Sequence, residues 1–184
     1  MSNKKQQIIN TALQLFYRHG VNSIGINEIL KISGVAKKTL YHHFSSKEAL
    51  VISTLMARDQ IFLAWLDARL LDRQTDQEVV HRLFDALTDW FHDRVEELGT
   101  FRGCFFINTA AEVSDPESHV SHYCRQHKQQ VRALIQKHLR SKQKSLLELI
   151  CLLKEGAIVS AYVNQDLDAA QKCIPWLDRY MADG

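Results

Sequence analysis

Apolar positions recur at helical spacing from near the start of the chain to its end, with no convincing strand among them. In residues 4–19, Ile8, Ile9, Ala12, Leu13, Leu15 and Phe16 mark the inward face of a helix that Gly20 is placed to end. Ile26, Ile29, Leu30 and Ile32 predict a second, short helix with a buried stripe, starting at Gly25 and closed by Ser33-Gly34-Val35. A third follows over about 36–44, with Leu40 and Phe44, four apart, as inward anchors. Ser45-Ser46-Lys47-Glu48 begins a long helix running to about residue 71, since a Ser caps the start and Glu48 suits its positive end. Beyond a polar break at 72–76, the pattern predicts helices over about 77–97, 101–113, 115–142, 145–163 and 168–182. Pro116 is tolerated in a first turn, and Pro175 bends or restarts the last helix. The helix at 145–163 is apolar almost all round and demands cover on more than one side.

The expected fold is therefore all-α, with about nine helices. Composition agrees: two prolines and seven glycines in 184 residues argue against an all-β chain. No run of 18 uninterrupted apolar residues occurs, so the expectation is a soluble, cytoplasmic protein with no membrane partner. The four cysteines, at 104, 124, 151 and 173, form no CxxC pair and are expected to be free thiols.

Charge changes the picture. Residues 1–47 hold seven Lys/Arg and one acid, a balance of +6, whereas 48–184 hold 16 Lys/Arg and 20 Asp/Glu, a balance of −4. The basic end carries two short helices joined by a tight turn. Lys37, Lys38, Thr39, Tyr41, His42 and His43 crowd onto the second of them. A helix that is basic and hydroxyl-rich on one face and apolar on the other suits a DNA major groove.

The stretch AKKTLYHHFSSKEAL resembles the signature of the TetR family of bacterial transcriptional regulators, through Leu40, Tyr41, Phe44, Lys47, Glu48 and Leu50. The resemblance covers roughly residues 5–55. Leu30 stands where the family usually has Ala, and Ile24-Gly25 replaces a usual Thr-Thr, which removes one phosphate-contacting hydroxyl. The resemblance implies a three-helix DNA-binding head at 1–48 and a helical effector-binding and dimerisation domain at 49–184. It also implies a homodimer bound to a palindromic operator and released by a small-molecule effector. Lys37, Lys38 and Thr39 are the candidates for groove contacts, with Tyr41, His43 and Lys47 for phosphates and His42 beside them. The helix from Ser45 joins head to effector domain and is the expected mechanical link. Dimerisation is expected through the helix at 145–163 and the one carrying Trp176 and Tyr180.

Phe62, Trp65, Trp90, Phe91, Cys104, Phe105, Asn108 and Tyr123 are the candidates for an aromatic effector cavity with a few polar fixtures. Gly103-Cys104 followed by Glu112 resembles a pattern in a TetR branch that includes repressors inactivated by electrophiles or oxidants. Two readings of Cys104 stand: a reactive thiol near a helix start and Arg102, or a small hydrophobe packed among Phe101, Phe105 and Phe106. His119, His122, Cys124 and His127 invite a metal site, but the set does not converge on one helix face. No metal and no cofactor is expected. A Cys–His hydrolase at Cys104 is the rival from another class. No nucleophile elbow or metal-hydrolase motif accompanies it, so no enzyme is expected.

Overall fold

The computed structural model describes residues 3–183. Among the described residues there are nine α-helices, two short 3-10 helices and no strand. The α-helices are α1 (Asn3–His19), α2 (Ile26–Ser33), α3 (Lys37–His43), α4 (Lys47–Leu70), α5 (Asp76–Phe91), α6 (Phe105–Glu112), α7 (His119–His138), α8 (Lys144–Val163) and α9 (Ile174–Ala182). The all-α architecture expected from the periodicity is the one observed. Residues 1, 2 and 184, at the ends of the two expected domains, lie outside the described residues.

The chain packs as two units. The first comprises residues 1–60 and 105–127, the second 61–104 and 128–184. The head expected at 1–48 lies within the first unit, which adds the first turns of α4, all of α6 and the start of α7.

In the first unit α1 packs on both α2 and α3. Ile8, Ile9, Ala12 and Phe16 of α1 meet a core that includes Ile29, Leu40, Phe44 and Leu50, all buried. Each fully buried Leu, Ile or Phe contributes about 1.5–3 kcal/mol. The turn between α2 and α3 passes through the left-handed region at Gly34 (φ 66°), whose N–H closes onto the Leu30 carbonyl. Ile32, expected in the buried stripe of α2, is instead 56% exposed. The buried arc runs through Ile29 and Ser33 with Ile26 and Leu30 half-buried, and Ile32 falls on the opposite side of Ile29, about 60° away. The cap of α4 is Ser46, whose Oγ accepts from the Ala49 N–H at 3.1 Å.

In the second unit α5, α8 and α9 pack on one another. Several helix ends differ from expectation. α5 stops at Phe91 rather than near 97, because Asp93 turns left-handed (φ 59°) and its carboxylate takes the Phe101 N–H at 2.6 Å. That bond holds the stretch before α6 out of helix, so α6 begins at Phe105 rather than 101. α7, in the first unit at its start, begins at His119: Ser118 Oγ caps it by accepting from the Ser121 N–H at 3.1 Å, while Asp115–Glu117 form a turn before it. Pro175 sits in the first turn of α9, after a 3-10 turn at Gln171–Cys173, so it restarts the chain's last helix rather than bending it.

Candidate functional site

The DNA-contact candidates are all carried by α3 and the first residue of α4. On α3, Leu40 is fully buried and Phe44 beyond its end nearly so, which turns the rest of the helix outward. Lys37, Lys38, Tyr41 and His42 are exposed; Thr39, His43 and Lys47 are half-buried. The His42 and His43 rings lie 5.2 Å apart edge to face. Lys47 opens α4 with its ammonium 6.0 Å over the Phe16 ring, an attachment that stacks its stem while leaving the charge at the surface. Chemically the surface offers ammonium donors, a hydroxyl, a phenol and imidazoles beside the positive end of α4, the set that phosphates and base edges accept from.

The eight effector candidates are divided between the units. Phe62, Trp65, Trp90 and Phe91 lie in the second, where they are buried against one another and Phe101. Trp90 is central, 5.5 Å from Phe62, 6.4 Å from Trp65 and 5.0 Å from Phe101, in edge-on arrangements. The expected aromatic wall is thus a packed cluster. The indole N–H groups of Trp65 and Trp90 are buried without a hydrogen-bond partner among the described residues. In the first unit, Phe105 meets the Tyr17 ring at 5.9 Å and Asn108 is half-buried on α6. Tyr123 donates to Asp59 at 3.3 Å. Burial, with the charge of Asp59 and the bond to it, pushes the Tyr123 phenol up to about 12.

Cys104 is buried, with Lys128 Nζ 3.4 Å from its sulfur. Lys128 also donates to Glu155 at 2.7 Å, and Lys154, itself buried, donates to the other Glu155 oxygen. Burial acts to lower Lys128, but the neighbouring Cys104 and Glu155 outweigh it and hold the ammonium above the usual lysine value. Burial likewise acts to raise Glu155, and Lys154 and Lys128 hold it below the usual carboxylate range. Both readings of Cys104 therefore have a footing: it is packed, and a cation faces it. The cation is Lys128, which the sequence did not single out. The other three cysteines are free as expected, and burial pushes the thiols of Cys151 and Cys173 up.

The histidines of α7 part company. His119 and His122 are exposed, while His127 is buried with Nδ1 2.6 Å from Asp59 Oδ1 and its ring stacked on Phe106 at 3.5 Å. His122 faces Glu117 at 3.7 Å.

The sequence also passed over the role of Glu112. Its carboxylate accepts from the backbone N–H groups of Val21 and Asn22, at 3.1 and 2.7 Å, inside the first unit.

Residues 8–54 match the family described as "Bacterial regulatory proteins, tetR family". The chain is 30% identical over 108 residues to the transcriptional regulator AcuR of Cereibacter sphaeroides, covering 59% of this chain and 48% of that protein. It is 28% identical over 114 residues to the HTH-type transcriptional repressor NemR of Escherichia coli K12, covering 60% and 54%. The chain thus spans about half the length of the curated relatives it matches. Among solved structures, the TetR-family transcriptional regulator SCO4454 from Streptomyces coelicolor superposes with a TM-score of 0.84 at 24% identity, covering 100% of this chain and 96% of that one. The reduced form of E. coli NemR does so at 0.75 and 20%, covering 96% of each. These two structures share the fold.

Proposed function

Because residues 8–54 match the TetR family of bacterial regulatory proteins, we propose that the chain is a TetR-family regulator, a homodimeric cytoplasmic transcriptional repressor of a palindromic operator. The observation that carries the reading is the outward face of α3, with Lys37, Lys38, Thr39, Tyr41 and His42 presented by a helix anchored through Leu40 and Phe44. A second copy covers the exposed apolar residues of α8 and α9, namely Leu152, Val159, Tyr162, Val163, Trp176 and Tyr180. Two α3 helices so joined read two half-sites one DNA turn apart.

Release follows when an effector favours a head separation that does not match the half-sites. A coupling of about 1–3 kcal/mol is the usual size of such opposition. Small-molecule release is supported by the unpartnered indole N–H groups of Trp65 and Trp90, which an acceptor-bearing effector would satisfy. A second reading, release by oxidation or alkylation of Cys104, is favoured by the Lys128 ammonium, which lies 3.4 Å from that sulfur.

Fluorescence anisotropy on the DNA upstream of the protein's own gene, followed by genomic fragment selection where that DNA is not bound, tests the reading. Affinity is expected to fall linearly in log–log form with salt, as counterions are released, and Lys37→Ala with Lys38→Ala to weaken it. Turnover of a substrate without DNA affinity overturns the reading. Release of wild type by the thiol oxidant diamide, with none from Cys104→Ser, selects the thiol reading; no response from either selects the small molecule.

A further inference from the structure

The turn between α1 and α2 is held from ninety residues away. Glu112, the last residue of α6, places Oε1 3.1 Å from the Val21 nitrogen and Oε2 2.7 Å from the Asn22 nitrogen. In return the Asn22 side-chain amide donates to the Glu112 carbonyl at 2.8 Å. The exchange is reciprocal: the carboxylate satisfies two N–H groups of the turn, and the turn satisfies a carbonyl that the end of α6 leaves open. Gly20 is shaped to admit the carboxylate. It takes φ +88°, and a Cβ there would lie 2.7 Å from Glu112 Oε1.

Val21 and Ile24 are buried beneath this turn, and two further observations say that its polar fastening elsewhere is sparse. Gly25, the residue from which α2 starts, makes no side-chain cap, so the entry to α2 has no local fastening of that kind. Beside the turn opens a groove of about 290 Å³ lined by Val21, Asn22, Val51, Val113 and Val120, with Lys47 and Glu48 at its side. Side-chain packing leaves space on that flank, and the turn has room to move into it.

On the reading that this chain binds DNA through α3, we propose that Glu112 is a positioning residue for operator binding, through which α6 sets the entry to α2 and hence the presentation of α3. The group that fits is a carboxylate. It accepts two N–H groups at once, whereas the amide of Gln must turn an NH₂ toward one of them. α6 is eight residues long, about 12 Å, with Phe105 at its start and Glu112 at its end. A displacement at the first turn of α6 arrives at the head by way of Glu112.

The test uses the full-length dimer with a DNA fragment recovered by genomic selection. Glu112→Gln is expected to weaken binding roughly tenfold, and Asn22→Ala, at an exposed residue, to do so in smaller measure. Amide resonances of Val21 and Asn22 in a ¹⁵N-labelled sample are expected to move together when acid protonates the carboxylates of wild type, and to stay in Glu112→Gln. Gly20→Ala is expected to cost less affinity when Glu112 is already Ala, since the clash has gone. Wild type that binds, with Glu112→Gln and Asn22→Ala within twofold of it, overturns this inference alone, as do Val21 and Asn22 amides that ignore the titration. Wild type that selects no fragment overturns the DNA-binding reading, and this inference with it.

Discussion

Asp59 sits where one side chain has several dependants. It is buried, pairs with a buried His127 at 2.6 Å and accepts the Tyr123 hydroxyl at 3.3 Å, while His127 stacks on Phe106. Removing one member of such a buried pair leaves the other's polar atom without that partner out of water, which costs about 1–3 kcal/mol. Asp59→Ala is therefore expected to lower the unfolding free energy by that amount, read as a lower urea midpoint at unchanged slope, and His127→Phe, which keeps the stacking and discards the imidazole, to be no milder while Asp59 remains. Replacing both together should recover part of the loss, which a double-mutant cycle in urea measures. Nothing in the sequence pointed to this pair. His127 drew notice as a metal-ligand candidate, and Asp59 stands 68 residues away on another helix.

Helices were largely legible, and the reasons for the exceptions are physical. Periodicity located the α-helices because each buries a stripe, and it placed Leu40 and Phe44 inward, as observed. It misplaced the end of α5 because Asp93 stops the helix by taking a left-handed turn and an N–H eight residues on, neither of which is an apolar signal. The effector candidates were chosen as aromatic positions, and aromatic spacing does not distinguish a cavity wall from a packed cluster. On α8 the excess of apolar residues was legible, and the structure divides it: Leu146, Leu147, Ile150, Ala157, Ile158 and Ala161 are buried, while Leu152, Val159 and Val163 are exposed. Gly156 lies on the exposed face, and a Cβ added there meets nothing within 4 Å. An interior Gly costs a helix roughly 0.5–1 kcal/mol relative to Ala; in the homodimer proposed above, a close crossing with the partner copy accounts for its place. Gly156→Ala should raise the stability of the separated protomer and weaken its association, and Gly156→Leu should weaken it further. Sedimentation equilibrium reads both, and a dimer unaffected by Leu places the crossing elsewhere.

Across the whole molecule, charge is arranged on two scales. The excess of positive charge over residues 1–47 belongs to the end that carries α3, and was plain from the sequence. Individual carboxylates of the second unit are held ionised, which was not. The hydrogen bond from His138, then that from Lys137, keeps Asp67 below the usual carboxylate value, and Glu155 is lowered beside Lys154 and Lys128. A lowered carboxylate contributes stability that is present above its unfolded value of about 4 and is lost as the pH falls through the lowered one. The melting temperature of wild type should therefore exceed that of Asp67→Asn near neutrality, and the gap should close in strong acid. A gap that widens in acid would reverse the sign. The two-part make-up of the first unit has a different kind of consequence, for modularity and inheritance. A fragment cut after residue 60 parts the turn at Val21 from Glu112 and Asp59 from His127. A head grafted onto a foreign effector domain keeps its native fastenings only when residues 105–127 travel with it, so the unit that recombination can exchange intact is not a contiguous piece of the chain.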